Sequence, residues 1–214
     1  MAPTQTVIAP MPPPERSWPT PPLHLRVLDL AHPGAVRFFA ALPNPAGTLS
    51  SSCTSVLTSL YPTALAPSST ADSDSDSDAS MPSLLRQPQP PKIRSITLHL
   101  RAFDGVAHTN GSELDDAHKE IHFSTTYLAG IAGDEVRVRR EILGVLVHEL
   151  VHVWQWDGMG SCDGGLIEGV ADWVRLGAGL GAPHWTEGGR PGDDWNAGYA
   201  TTGEFIGLRP SDFR

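Results

Sequence analysis

The sequence predicts a single α+β domain, a sheet packed against one long buried helix. Three observations carry that expectation. Apolar and polar residues alternate with period two in Leu23–Val27, Ile93–Phe103 and Glu120–Tyr127, the pattern of strands. The stretch Glu141–Gln155, EILGVLVHELVHVWQ, is apolar nearly all round at helical spacing, as in a helix covered on every side. The 214 residues suit one domain with a substantial core.

In chain order, Met1–Pro22 is a proline-rich leader expected to be disordered, and the domain is expected to span 23–208, with a short tail at 209–214. Leu23, Leu25 and Val27 share one face of the first strand. His32-Pro33-Gly34 turns into a helix over Ala35–Ala41, which Asn44-Pro45 breaks. Leu49, Val56, Leu57 and Leu60 then fall at near-helical spacing within Leu49–Tyr61, with serines available to cap the start. Pro62–Pro91 changes composition. It holds the alternation from Asp72 to Asp78 among Ala, Ser and Pro, too little apolar surface to fold, and reads as a disordered insert. A Ca²⁺ loop would need a central Gly and a terminal Glu, and the run has neither. After the strand Ile93–Phe103, Asp104-Gly105 and Asn110-Gly111 are turn signals. Glu120–Tyr127 is the next strand. On a strand, His118 and His122 point to one side about 13 Å apart, too far to share an ion. Leu166–Leu176 follows as a second amphipathic helix, and Trp195–Ile206 as a last one.

Composition excludes several classes. The net charge of −9 and pI near 5.4 argue against a nucleic-acid footprint. No run reaches the 18 or so apolar residues of a membrane span. The leader lacks an apolar stretch after basic residues, so no signal peptide is read there. Two cysteines, Cys53 and Cys162, do not make a disulfide framework.

Chemistry concentrates at His148-Glu149-Leu150-Val151-His152, an H-E-x-x-H motif. Residues four apart share a helix face, so both imidazoles can reach one metal ion while Glu149 flanks it as a general base. Polar groups of this kind are costly on an apolar helix unless paired or coordinated. Glu168, on the second helix, is the candidate third ligand, completing a His2Glu zinc set. Asp172, one turn later, is placed to accept the free ring N–H of a ligand histidine. A solvated face or a salt bridge with Arg175 is the alternative for both carboxylates. The pattern with a third histidine fails, because Gln155 and Gly158 stand where Gly and His would be.

HELVHVWQWDGMG, GGLIEGVADWVRL, APHW and DDWNAGYATTGEFI resemble the basic secretory protein family of plant and fungal zinc peptidases. So do LHLRVLDLAHPGA, IRSITLHLRAFDGVAHTNG and HKEIHFSTTYLAGI, and the similarity covers about Leu23 to Phe205 apart from the insert. The order of H-E-x-x-H and E-x-x-x-D is also that of the gluzincins. The resemblance implies a zincin-like metallopeptidase domain, a mixed sheet packed on the H-E-x-x-H helix. It implies Zn²⁺ on His148, His152 and Glu168, with Glu149 activating water, and a peptide or protein as substrate. It further implies a sheet edge strand beside the substrate, for which Glu120–Tyr127 is the candidate, bringing His122 near the cleft. Tyr199, then His184, are the matched candidates for a donor to the oxyanion. The chain is expected to act as a monomer, without nucleic acid or membrane. Localisation stays open, since the family implies secretion and the leader does not. Family members continue well past the segment matching 203–208. A second reading is therefore an inactive, zinc-retaining, defence-related binding protein. A third is a hydrolase of a non-peptide amide.

Overall fold

The computed structural model describes residues 18–62, 89–182 and 202. The leader before Trp18, the core of the insert and the segment carrying His184 and Tyr199 lie outside them, as does the last predicted helix apart from helical Thr202.

Within these bounds the chain is α+β with a four-stranded mixed sheet. The strands are β1 (Leu23–Val27), β2 (Ser95–Arg101), β3 (Ala107–Ser112) and β4 (Asp115–Ser124). Their spatial order is β1-β2-β4-β3, with β1, β2 and β4 parallel and β3 antiparallel to β4. The helices are α1 (Pro33–Ala41), α2 (Pro45–Leu60), α3 (Thr125–Gly130), α4 (Glu135–Trp154) and α5 (Gly164–Gly177).

The helix face of the sheet makes the core. Leu98 and Leu100 on β2 stand beside Ile121 and Phe123 on β4, and all four are fully buried. Leu146 and Leu150 of α4 and Phe38 of α1 are buried in the same cluster. Burying a side chain of this size stabilises the fold by roughly 1.5–3 kcal/mol. The helices begin where short polar side chains capture free backbone donors. Asn44 Oδ1 accepts from Gly47 N, Asp134 from Arg137 N, and Asp163 from both Gly165 N and Leu166 N. Close helix approach needs glycine at Gly34, where a Cβ would strike the Thr125 backbone carbonyl of α3; at Gly144 a Cβ would push on the Arg175 guanidinium of α5.

Several local expectations are corrected. Asn44-Pro45 separates two helices as read, but it also starts the second one, with Asn44 as cap and Pro45 in the first turn, so no serine caps it. Asn110-Gly111 is not a turn. It lies inside β3, and the reversal falls at Glu113-Leu114, beside a bulge at Gly111/Ser112. The strand expected over Glu120–Tyr127 starts earlier, at Asp115, and stops at Ser124. There the Ser124 hydroxyl accepts from Tyr127 N and opens α3. β4 therefore has neighbours on both sides and cannot receive an added strand; among the described residues the edges are β1 and β3. His122 does not face the cleft. It pairs across β4 with His99 and His108, on the face opposite Ile121 and the helices.

Candidate functional site

Helix α4 presents His148 and His152 one turn apart, with their Nε2 atoms 3.2 Å from each other. The chain leaves α4 through a loop with positive φ at Gly158, Met159 and Gly160, and Asp163 then caps α5. That turn brings Glu168 to the histidines. Its Oε2 lies 3.1 Å from His148 Nε2 and 3.8 Å from His152 Nε2. Two nitrogens and one oxygen thus converge, and these residues could hold a metal ion.

Each imidazole is held from behind. Asp172, one turn after Glu168, places Oδ1 2.8 Å from His148 Nδ1. Asp172 is 1% exposed, and its other oxygen has no partner among the described residues. Gln155 places Oε1 3.1 Å from His152 Nδ1, while its Nε2 donates to Ile167 O of α5. Glu149 is nearly buried, and its Oε2 accepts from Thr109 Oγ1 of β3 at 2.7 Å. The edge strand therefore meets the motif helix at Glu149. A cleft of about 860 Å³ runs over this group, walled by Val106, Thr109 and Lys119 on one side and Tyr127, Glu168 and Ile167 on others.

Electrostatics divides the group. Burial acts to lower the His148 pKa, but the hydrogen bonds to Asp172 and Glu168 outweigh it and raise it to about 9. Burial and the neighbouring His148 hold His152 below the ordinary range. The hydrogen bond from His148 holds Glu168 low. Burial pushes Glu149 up, against the Thr109 hydrogen bond and the nearby His148. A buried wall stands behind. Glu141 accepts from Arg175 Nη2 at 3.2 Å and from Tyr127 Oη at 2.9 Å, tying α3, α4 and α5 together.

Of the residues singled out in the sequence, His148, Glu149, His152, Glu168 and Asp172 are brought together. Tyr199 and His184 lie outside the described residues. His118 and His122 are held apart, His118 by Ser95 Oγ and His122 by Arg101 Nε. Gln155 and Thr109 were missed. Gln155 carried a signal, since a residue three after His152 can reach that ring at the end of the helix. Thr109 carried none once its neighbours were read as a turn.

A family model described as BSP, peptidase of plants and bacteria, matches residues 20–209. No curated protein and no solved structure matches the chain.

Proposed function

The chain belongs to this peptidase family of plants and bacteria, and from that premise we propose that it is a zinc-dependent peptidase of gluzincin type on a zincin-like fold. The observation that carries the proposal is the convergence of His148 Nε2, His152 Nε2 and Glu168 Oε2 at 3.1, 3.2 and 3.8 Å beside a buried Glu149. Tetrahedral zinc with bonds near 2.0–2.1 Å needs donors about 3.3 Å apart, so the set fits the ion. The ring nitrogens facing away are matched to Asp172 and Gln155, which leaves Nε2 of each ring as the atom to ligate, with the His148 proton displaced by the ion.

When bound, zinc would act as a Lewis acid, polarising the scissile carbonyl and acidifying water. The chain's own residues do the rest. His148, His152 and Glu168 hold the ion, Asp172 and Gln155 fix the rings, and Thr109 fixes Glu149. Glu149 takes the proton from the attacking water and delivers it to the leaving amine. Burial raises its pKa, which brings a carboxylate nearer to working pH for both steps. The edge of β3 beside Glu149, unpaired among the described residues, is suited to an extended peptide, whose backbone can pair as an added strand. Tyr199, then His184, remain the candidates for the donor that stabilises the oxyanion.

The test compares cleavage of casein and a peptide library by wild type and by Glu149→Gln, each assayed for bound zinc. Cleavage by the wild type alone, with zinc in both, supports the proposal. Zinc in both without cleavage by either would overturn the peptidase reading in favour of a binding protein. Failure to bind zinc would overturn the metal assignment.

A further inference from the structure

The far face of the sheet carries a second group of ligand-type side chains. His99 on β2 and His122 on β4 are directly paired in the parallel ladder, so both project to one side. Glu120 lies two residues before His122 on the same strand and joins that side. Glu120 Oε2 is 3.3 Å from His122 Nε2, and Oε1 is 4.0 Å from His99 Nε2. One donor atom from each residue lies within 4.8 Å of the other two. His108 of β3 stacks on His122 with ring centroids 4.7 Å apart, and His99 stacks on the other side at 4.6 Å, so the rings are held in register across three strands.

One atom is unexplained by packing alone. His99 is 8% exposed, and its Nε2 is buried with no hydrogen-bond partner among the described residues. A buried polar nitrogen without a partner is costly, and this one faces Glu120 and His122. We propose that His99, Glu120 and His122 form a second metal site, for a borderline divalent cation such as Zn²⁺, on the sheet face away from the cleft. Two imidazoles with one carboxylate suit zinc, copper or nickel better than calcium or magnesium. Burial keeps both rings neutral near pH 7, the form that ligates. A bound ion would clamp β2 to β4 and give His99 Nε2 its missing partner.

Arg101 sets the terms of binding. Its Nε donates to His122 Nδ1 at 2.9 Å, so the proton of neutral His122 sits on Nε2, facing Glu120. Ligation through Nε2 requires that proton to move to Nδ1 and the Arg101 bond to break. Phe103 offers the guanidinium another contact, since its ring centroid already lies 4.7 Å from Arg101 Cζ. The site should therefore bind more weakly than one backed by acceptors, and loss of Arg101 should strengthen it.

The experiment counts zinc bound per full-length chain after chelator treatment and titration with Zn²⁺. The expected result is that His99→Ala and Glu120→Gln each bind one equivalent less than wild type. Arg101→Gln should keep the full number and bind the weaker equivalent roughly tenfold more tightly. His148→Ala separates this inference from the cleft assignment, since it should lose a different equivalent and leave the one sensitive to Glu120→Gln. Glu120 is part-exposed, so its Gln variant tests the site even if His99→Ala fails to fold. Equal zinc counts in wild type and Glu120→Gln, with both folded by circular dichroism, would overturn the proposal.

Discussion

Two groups of two histidines and a glutamate lie on opposite faces of one sheet, and what stands behind each ring separates them. In the cleft, Asp172 and Gln155 offer oxygens to the rear nitrogens of His148 and His152. On the far face, Arg101 offers a proton to the rear nitrogen of His122. An acceptor behind an imidazole keeps a proton on the rear nitrogen, so the front nitrogen can ligate once the ion displaces any proton it carries; a donor behind it keeps the neutral ring's proton on the front nitrogen. The same three side-chain types thus need only give up the His148 proton to take a metal in one place, and must break the Arg101 bond and change tautomer in the other. The cleft group also has Glu149 beside it, held by Thr109. In the proposed peptidase, that is the element that would turn a binding group into a hydrolytic one.

The comparison can be tested at its strongest point first. Glu149→Gln should lower peptide cleavage by roughly 10²–10⁴-fold, the contribution typical of a positioned general base, while bound zinc is unchanged. Steady-state rates with zinc analysis check this; substantial residual cleavage would mean that another group takes the proton. Asp172→Ala comes next. Removing the acceptor behind His148 should weaken zinc binding in the cleft by about 100-fold, at the upper end for such partners. Competition with a chelator of known affinity measures it, and an unchanged affinity would show that the rear acceptor does not matter. Gln155→Leu removes a neutral acceptor in place of a charged one, and about tenfold is expected in the same assay. If Gln155→Leu costs more than Asp172→Ala, the tie from Gln155 to Ile167 on α5, and not the ring it holds, is the main contribution.

How much of this was legible depends on whether a feature is written along one element or between elements. His148, Glu149 and His152 are fixed by spacing within one helix, and Glu168 and Asp172 by spacing within the next. These five could be read from helical periodicity, and the structure brings them together. The first strand was readable from its alternation and has the predicted bounds. β3 was not, because Asn110-Gly111 is a turn signal by local chemistry and the sheet absorbs it at a bulge. With β3 went Thr109 and the identity of the edge strand beside Glu149. The far-face group was out of reach for a related reason. His99 meets His122 through the register of two parallel strands distant in sequence, and no local pattern encodes that register.

The smallest effect expected is the most direct test of the surroundings, because it needs no metal. In the chelator-treated chain, His148 is raised to about 9 from an ordinary 6.5, so the folded state binds its proton more tightly than the unfolded state does. Its contribution to stability is therefore complete below about pH 6.5 and is lost as pH rises through about 9. The far-face histidines have the opposite sign. Burial lowers His99, His108 and His122, so their contribution is complete above 6.5 and is lost only on acidification. His152 behaves like them. Cys53, which burial raises to about 12 from 9.0, contributes fully below pH 9 and loses that contribution only above it. Between pH 6.5 and 9, then, the denaturation midpoint of the metal-free chain should fall, and Asp172→Asn should flatten that fall. Histidine ring resonances followed by NMR should show one imidazole titrating near 9 and the far-face rings below 6.5. Zinc reverses the first trend, since the ion displaces the proton from His148 and binds better as pH rises. A midpoint that stays level across this window in the wild type would mean that Asp172 does not hold His148 charged, and the contrast between the two faces would lose its electrostatic basis.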